Sequence, residues 1–257
     1  MTLAQRLDAP DVAERLAAMA DVTAAADTDA ATLAALADCL GDRRKVIQRR
    51  AAETFATLSK HGADVQPVLL AALASDAITQ RWGAAYALSL LGRAPQVALP
   101  VLLKALGCDD GDIRWAAGNI VVRMRDHPGL IDALRDVLAT GNAAQRKMAA
   151  YCLRDLDVRT PETEQALLAA LHDADTNVRL AAISCIARLA IDRAAAAQRL
   201  VDLLGDPDVS VRRISAAVLG PFGERSAAVL AALRAATTTA DVSLRRAAER
   251  SLRLLGE

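Results

Sequence analysis

Small and apolar residues recur along this chain three and four positions apart, the spacing that places them on one face of a helix. The pattern is clearest in DVSVRRISAAVLGPFG, residues 208–223. With Val211 as position zero, the stripe falls at +3, +4, +7, +8 and +11: Ile214, Ser215, Val218, Leu219 and Phe222. An arginine stands at +1. The same frame returns as DVAERLAAMADVTAAA from Asp11, KVIQRRAAETFATLSK from Lys45, AITQRWGAAYALSLLG from Ala77 and DGDIRWAAGNIVVRMR from Asp110. It continues as NAAQRKMAAYCLRDLD from Asn142, DTNVRLAAISCIARLA from Asp175 and DVSLRRAAERSLRLLG from Asp241. The arginine column is Arg15, Arg49, Arg81, Arg114, Arg146, Arg179, Arg212 and Arg245, at spacings of 34, 32, 33, 32, 33, 33 and 33. Spacing that regular marks an internal repeat. It predicts eight helices, near 14–25, 48–59, 80–91, 113–124, 145–156, 178–189, 211–222 and 244–255.

A shorter apolar helix precedes each of these, as in PVLLAALA from Pro67, PVLLKALG from Pro100 and AQRLVDLLGD from Ala197. Pro67 and Pro100 sit near helix starts, where a missing N–H costs little. Aspartate at −3 (Asp11, Asp110, Asp175, Asp208, Asp241) is placed to cap the longer helix. Glycine at +12 (Gly92, Gly223, Gly256) is placed to stop it. Two helices per repeat, stacked eight times, predict an all-α fold: a right-handed α-solenoid forming one domain over residues 1–257. The first short helix, around Thr2 to Leu7, is truncated.

Composition agrees and removes other classes. Hydrophobic residues are 53% of the chain, mostly Ala and Leu, so a disordered chain is excluded. β-branched and aromatic residues are too sparse for a β-sandwich. Two Trp, two Tyr and two Phe cannot fill a large globular core, whereas Ala and Leu suit thin, closely packed helical layers. No uncharged apolar run reaches membrane-spanning length, and the N-terminal stretch lacks the apolar core of a signal peptide. Cys39, Cys108, Cys152 and Cys185 lie far apart without CxxC spacing, which fits reduced thiols in a cytoplasmic protein. The Arg-rich, Lys-poor composition is associated with GC-rich bacterial genomes.

The frame D-x-x-V-R-x-x-A-A with a preceding P-x-L-L-x-x-L helix resembles HEAT repeats, closest to the short bacterial type also seen in phycobilin lyases. The resemblance implies that the longer helix is the second of each pair, helix B, and that B helices line a concave face. It says little of function, because such arrays serve as scaffolds, adaptors and occasionally enzymes.

Charge is unevenly distributed over this frame. The eight B segments hold 17 of the 31 bases but five of the 31 acids, so a neutral chain carries +12 on one layer and −12 on the rest. The arginine column alone reads as a structural ladder bonding turn acids and carbonyls. Further bases at +2, +6 and +9, among them Lys147, Arg154, Arg213, Arg246 and Arg250, point away from the buried stripe and are expected to face the groove. The aromatics divide in the same way. Phe55 and Phe222 fall in core columns, while Trp82 and Trp115 stand at +2 and Tyr86 and Tyr151 at +6. With Asn119 and Lys147, these four rings are expected to form one solvent-accessible surface, the composition of a binding hot spot.

Candidate chemistry is otherwise thin. His61, His127 and His172 lie in turns or at helix ends. The chain lacks HExxH, so similarity to HEAT-like deoxyhypusine hydroxylases gains no support. Asp109, Asp110 and Asp112 read as an acidic turn, lacking the bidentate Glu of a calcium loop. Cys152 and Cys185 share column +7 and read as buried and inert. The sequence therefore points to a non-catalytic scaffold, without metal or cofactor, holding an acidic or amphipathic protein segment in a basic, aromatic-lined groove. Two alternatives stay open. One is nucleic-acid binding: Trp115 and Asn119 resemble the Trp/Asp pair of HEAT-like DNA alkylation repair glycosylases, with Asn119 in place of the carboxylate. The other is a chromophore-lyase role, which rests on repeat type alone.

Overall fold

The structure, a computed structural model, describes residues 1–91 and 98–257. It is helical throughout the described residues, with no strand. The chain divides into two compact units: Met1–Ala105 with Asp110–His127, and Leu106–Asp109 with Pro128–Glu257.

The first unit contains four helical pairs: α1 (Leu3–Leu7) with α2 (Val12–Ala25), α3 (Ala30–Cys39) with α4 (Lys45–Lys60), α5 (Gln66–Leu73) with α6 (Ile78–Leu90), and α7 (Leu99–Ala105) with α8 (Gly111–Arg123). The second repeats the plan with α9 (Leu130–Thr140) and α10 (Ala143–Asp155), α11 (Pro161–Ala170) and α12 (Thr176–Leu189), α13 (Arg193–Asp202) and α14 (Val209–Phe222), and α15 (Ala227–Ala236) and α16 (Val242–Leu255). The even-numbered helices are the eight expected B helices, each opening about two residues earlier than the periodicity marks. The first A helix is short, as expected.

Caps explain most boundaries. Asp11, Asp175, Asp208 and Asp241 are N-caps whose carboxylates accept backbone N–H bonds from the first turn. The Asp110 carboxylate accepts from the Ile113 N–H in the same way. Asn142 closes a reciprocal capping box with Gln145. At the C-termini, Gly223 and Gly256 adopt φ of 81° and 79°, the left-handed stop their column predicts. Gly92 lies outside the described residues. Ala26 and Asp157 reach φ of 48° and 55° without glycine, so these two stops carry no sequence signal.

Each B helix buries a wider arc than one stripe, because it packs on its own A helix and on the neighbouring B helices of its unit. In the first unit Met19, Ile47, Ala51, Ala52, Phe55, Ala84, Ala85 and Leu88 are buried. In the second, Leu153, Val178, Ala181, Ala182, Ile183, Leu219 and Ala248 are. Paired alanines let neighbouring B helices approach closely. Gly83 on α6 admits the C-terminal end of α3: a Cβ there would stand 2.3 Å from the Leu40 carbonyl oxygen. Phe55 and Phe222 are both core residues.

Candidate binding site

The arginine column builds a ladder in the second unit. Arg146 donates from Nε and Nη2 to the two Asp173 carboxylate oxygens, both at 2.7 Å. Arg179 donates to the Asp173 carbonyl at 2.8 Å and, from Nη2, to the Asp206 carboxylate at 3.0 Å. Arg212 repeats the move, to the Asp206 carbonyl at 2.7 Å and to Asp241 at 3.2 Å. Asp173 and Asp206 thus each accept the guanidinium of the previous repeat while their own carbonyls accept that of the next helix. Bonding to Arg146 holds the Asp173 carboxyl below the usual carboxylate range. In the first unit Arg15 meets Asp42 at 2.5 Å, and Arg44 and Arg15 together hold that carboxyl well below its usual range. These arginines are structural, and their charge is spent on turn acids rather than facing outward.

The frame departs from this plan between α4 and α8. The N-caps of α4 and α6 are Arg44 and Ala77, neither making a side-chain cap bond. Arg49 is exposed and, among the described residues, makes no hydrogen bond or ion pair. Asp76, which stands 27 residues later like the ladder acids Asp42, Asp173 and Asp206, is exposed and equally unbonded among the described residues. Arg81 keeps its carbonyl bond, to Ser75 at 2.8 Å.

A recess of about 300 Å³ opens at this departure. Lys45, Gln48, Arg49 and Glu53 line it from α4, Trp82 and Tyr86 from α6, and Ile113 and Ala116 from α8. Lys45 bridges to Asp110, at the start of α8, at 3.5 Å. Trp82 and Tyr86 stack with centroids 5.6 Å apart and planes 11° apart. Trp82 is only 7% exposed, which corrects its expected place on an accessible surface. Its ring also lines a second hollow, of about 190 Å³, with Pro100, Val101 and Lys104. A +2 side chain of this size reaches the neighbouring helices and is enclosed by them. The Trp82 indole N–H is sealed and has no hydrogen-bond partner among the described residues. Gln48 is 6% exposed, and its amide also makes no hydrogen bond among the described residues.

The other expected site residues are distributed as follows. Trp115, also at +2, is 51% exposed on α8, and Asn119 is exposed four residues on. Lys147, Tyr151 and Arg154 are half-buried on α10. The Arg154 guanidinium lies 4.6 Å from the Tyr151 ring centroid and bonds Asp155 and Ser184. Arg213 on α14 and Arg246 and Arg250 on α16 are exposed and without a partner among the described residues. Of the six residues, Trp82 and Tyr86 stack on each other, and the six are divided between the two units. Lys45, Gln48, Glu53, Ile113 and Ala116 were not singled out as site residues from sequence, and Arg49 was read as a ladder arginine, a role it does not take among the described residues. The one signal for them is the missing capping aspartate at Lys45 and Ala77.

Among the described residues no cluster of His, Cys, Asp or Glu is arranged to hold a metal. His61 is a helix C-cap, and His127 and His172 lie in turns. Cys152 and Cys185 are buried, and burial pushes both thiols up to about 12, which makes them inert. No described helix is long and apolar enough to cross a membrane.

Comparison with known proteins bears on the fold. No curated protein matches the sequence. A chain in the structure reporting that Kap95p binding induces the switch loops of RanGDP to adopt the GTP-bound conformation superposes with TM-score 0.64 at 13% identity, over 98% of this chain. This chain spans 40% of that one. YibA of E. coli superposes with TM-score 0.58 at 16% identity, over 99% of this chain and 91% of that one. The family model for HEAT repeats matches residues 163–253, from α11 into α16.

Proposed function

We propose that this chain is a non-catalytic scaffold whose B helices hold an acidic segment of a partner protein. One observation carries the reading. Arg213, Arg246 and Arg250 are exposed and unbonded among the described residues, on α14 and α16, which pack side by side. The ladder arginines one position away are consumed by turn acids, so these bases are the charge left over for a ligand. Arginine forks bind carboxylates bidentately and are frequent at interface hot spots. Exposed Trp115, with Asn119 beside it in sequence, offers an aromatic contact of the kind partners bury.

A fluorescein-labelled Glu-rich peptide, titrated into the protein at rising salt, tests this. Binding should weaken steadily with ionic strength, since the screening length falls to about 10 Å at 0.1 M. Arg246→Glu with Arg250→Glu should cost about tenfold or more in affinity. Affinity that is flat with salt would contradict the reading. So would a single-stranded DNA oligonucleotide of equal charge binding more tightly than the peptide.

A further inference from the structure

The recess between α4, α6 and α8 is built differently from the rest of the B layer, and its two halves specify a ligand. Its polar half comes from α4. Gln48, largely buried as a residue, turns a solvent-reaching amide with no hydrogen bond among the described residues toward the recess it lines. Arg49 adds a guanidinium released from the ladder. Lys45 is tied to Asp110 and closes one end. Glu53 sits 3.8 Å from Arg50, which offsets its charge. The apolar half is the Trp82–Tyr86 stack with Ile113 and Ala116. Both halves share about 300 Å³, the lower end of ligand-site volumes. A ligand must therefore carry its anion and its apolar body within one residue. A carboxylate accepts hydrogen bonds and offers none when ionised, matching the donors of Arg49 and the Gln48 amide nitrogen. An internal Asp or Glu brings the charge without the apolar body. An internal Leu or Phe brings the body without the charge.

We infer that this recess holds the last residue of a partner segment, an apolar residue with a free main-chain carboxylate. Arg49 and Gln48 take the carboxylate, and the side chain packs against Trp82, Tyr86 and Ile113. The inference rests on the scaffold reading and names the partner feature that anchors it.

The test follows the indole N–H resonances of full-length, nitrogen-labelled protein, with Trp82 assigned by Trp115→Phe. The probes are N-acetyl-Gly-Gly-Phe with a free carboxylate, its amide, N-acetyl-Gly-Gly-Gly, and 3-phenylpropionate. The free-acid Phe peptide should shift the Trp82 signal, and the amide and the Gly peptide should bind about tenfold more weakly or worse. Arg49→Gln, an exposed change that should leave the fold intact, and Gln48→Leu should each weaken the free-acid peptide about tenfold. Arg125→Gln, an exposed charge change in the turn after α8, should have no effect. Amide binding as tight as the acid, or Arg49→Gln without effect, would overturn the inference. Tight binding of 3-phenylpropionate would assign the recess to a free organic acid and overturn the chain-end occupant. If the Glu-rich peptide still binds through Arg246 and Arg250 while every tripeptide fails, the recess claim falls and the scaffold reading stands. Failure of all probes overturns both.

Discussion

The run from α10 to α16 and the run from α4 to α8 use the same repeat frame to different ends. In the first, every column arginine is engaged: Arg146, Arg179 and Arg212 reach an acid of the following turn, and Arg245 bonds the Thr239 carbonyl at 3.2 Å. Each of these helices carries a side-chain N-cap. In the second, α4 and α6 have no side-chain cap, Arg49 reaches no acid, and a Trp–Tyr stack stands beside an unbonded glutamine amide. The frame's polar positions stabilise one region. In the other Arg49 is released, and the recess forms beside it. Where the column arginines are engaged, only the bases outside the column, such as Arg213, Arg246 and Arg250, are left for a ligand; where the frame breaks, a column arginine is left as well.

The largest effect that would sharpen this comparison is at Trp82. Because the ring is enclosed by three helices, Trp82→Ala should destabilise the first unit by about 3–5 kcal/mol, measured by denaturant unfolding. A loss below about 1 kcal/mol would return Trp82 to the surface. The next effect is acid sensitivity. The Asp42 and Asp173 carboxyls titrate below their unfolded values, so their stabilisation is complete above about pH 4. It is lost as pH falls through their lower folded values. Melting temperature should therefore be flat from about pH 7 to 5 and drop below about pH 4. Asp173→Asn should lower it at neutral pH and flatten part of the acid limb. The smallest effect is at Trp115. Half-exposed in the same +2 column, its replacement by Ala should change stability by about 0.5 kcal/mol or less. A large loss there would erase the distinction between the two tryptophans.

Helix number, period and B-helix placement were legible because burial enforces the 3.6-residue stripe in every repeat. The ladder was legible because arginine and turn acid recur at fixed spacing. Its break was not. Asp76 stands at the ladder spacing from Arg49, yet both are exposed and the two form no ion pair, which the spacing alone does not reveal. The burial of Trp82 was hidden for a related reason. Column +2 points away from the helix's own stripe, yet Trp82 is 7% exposed and Trp115 51%, a difference the column itself does not encode. Gln48 was invisible because glutamine also occupies position zero as Gln80 and Gln145, which are half-buried and bonded elsewhere.

The central claim is that one arginine column serves two purposes, and paired substitutions test it most directly. Arg179→Gln and Arg49→Gln are measured side by side for unfolding free energy and for binding of N-acetyl-Gly-Gly-Phe. Arg179→Gln should cost about 2 kcal/mol of stability, as loss of charge-assisted hydrogen bonds does, and leave binding unchanged. Arg49→Gln should leave stability within about 0.5 kcal/mol and weaken binding about tenfold. Equal destabilisation by the two substitutions, with binding unaffected by either, would contradict the account.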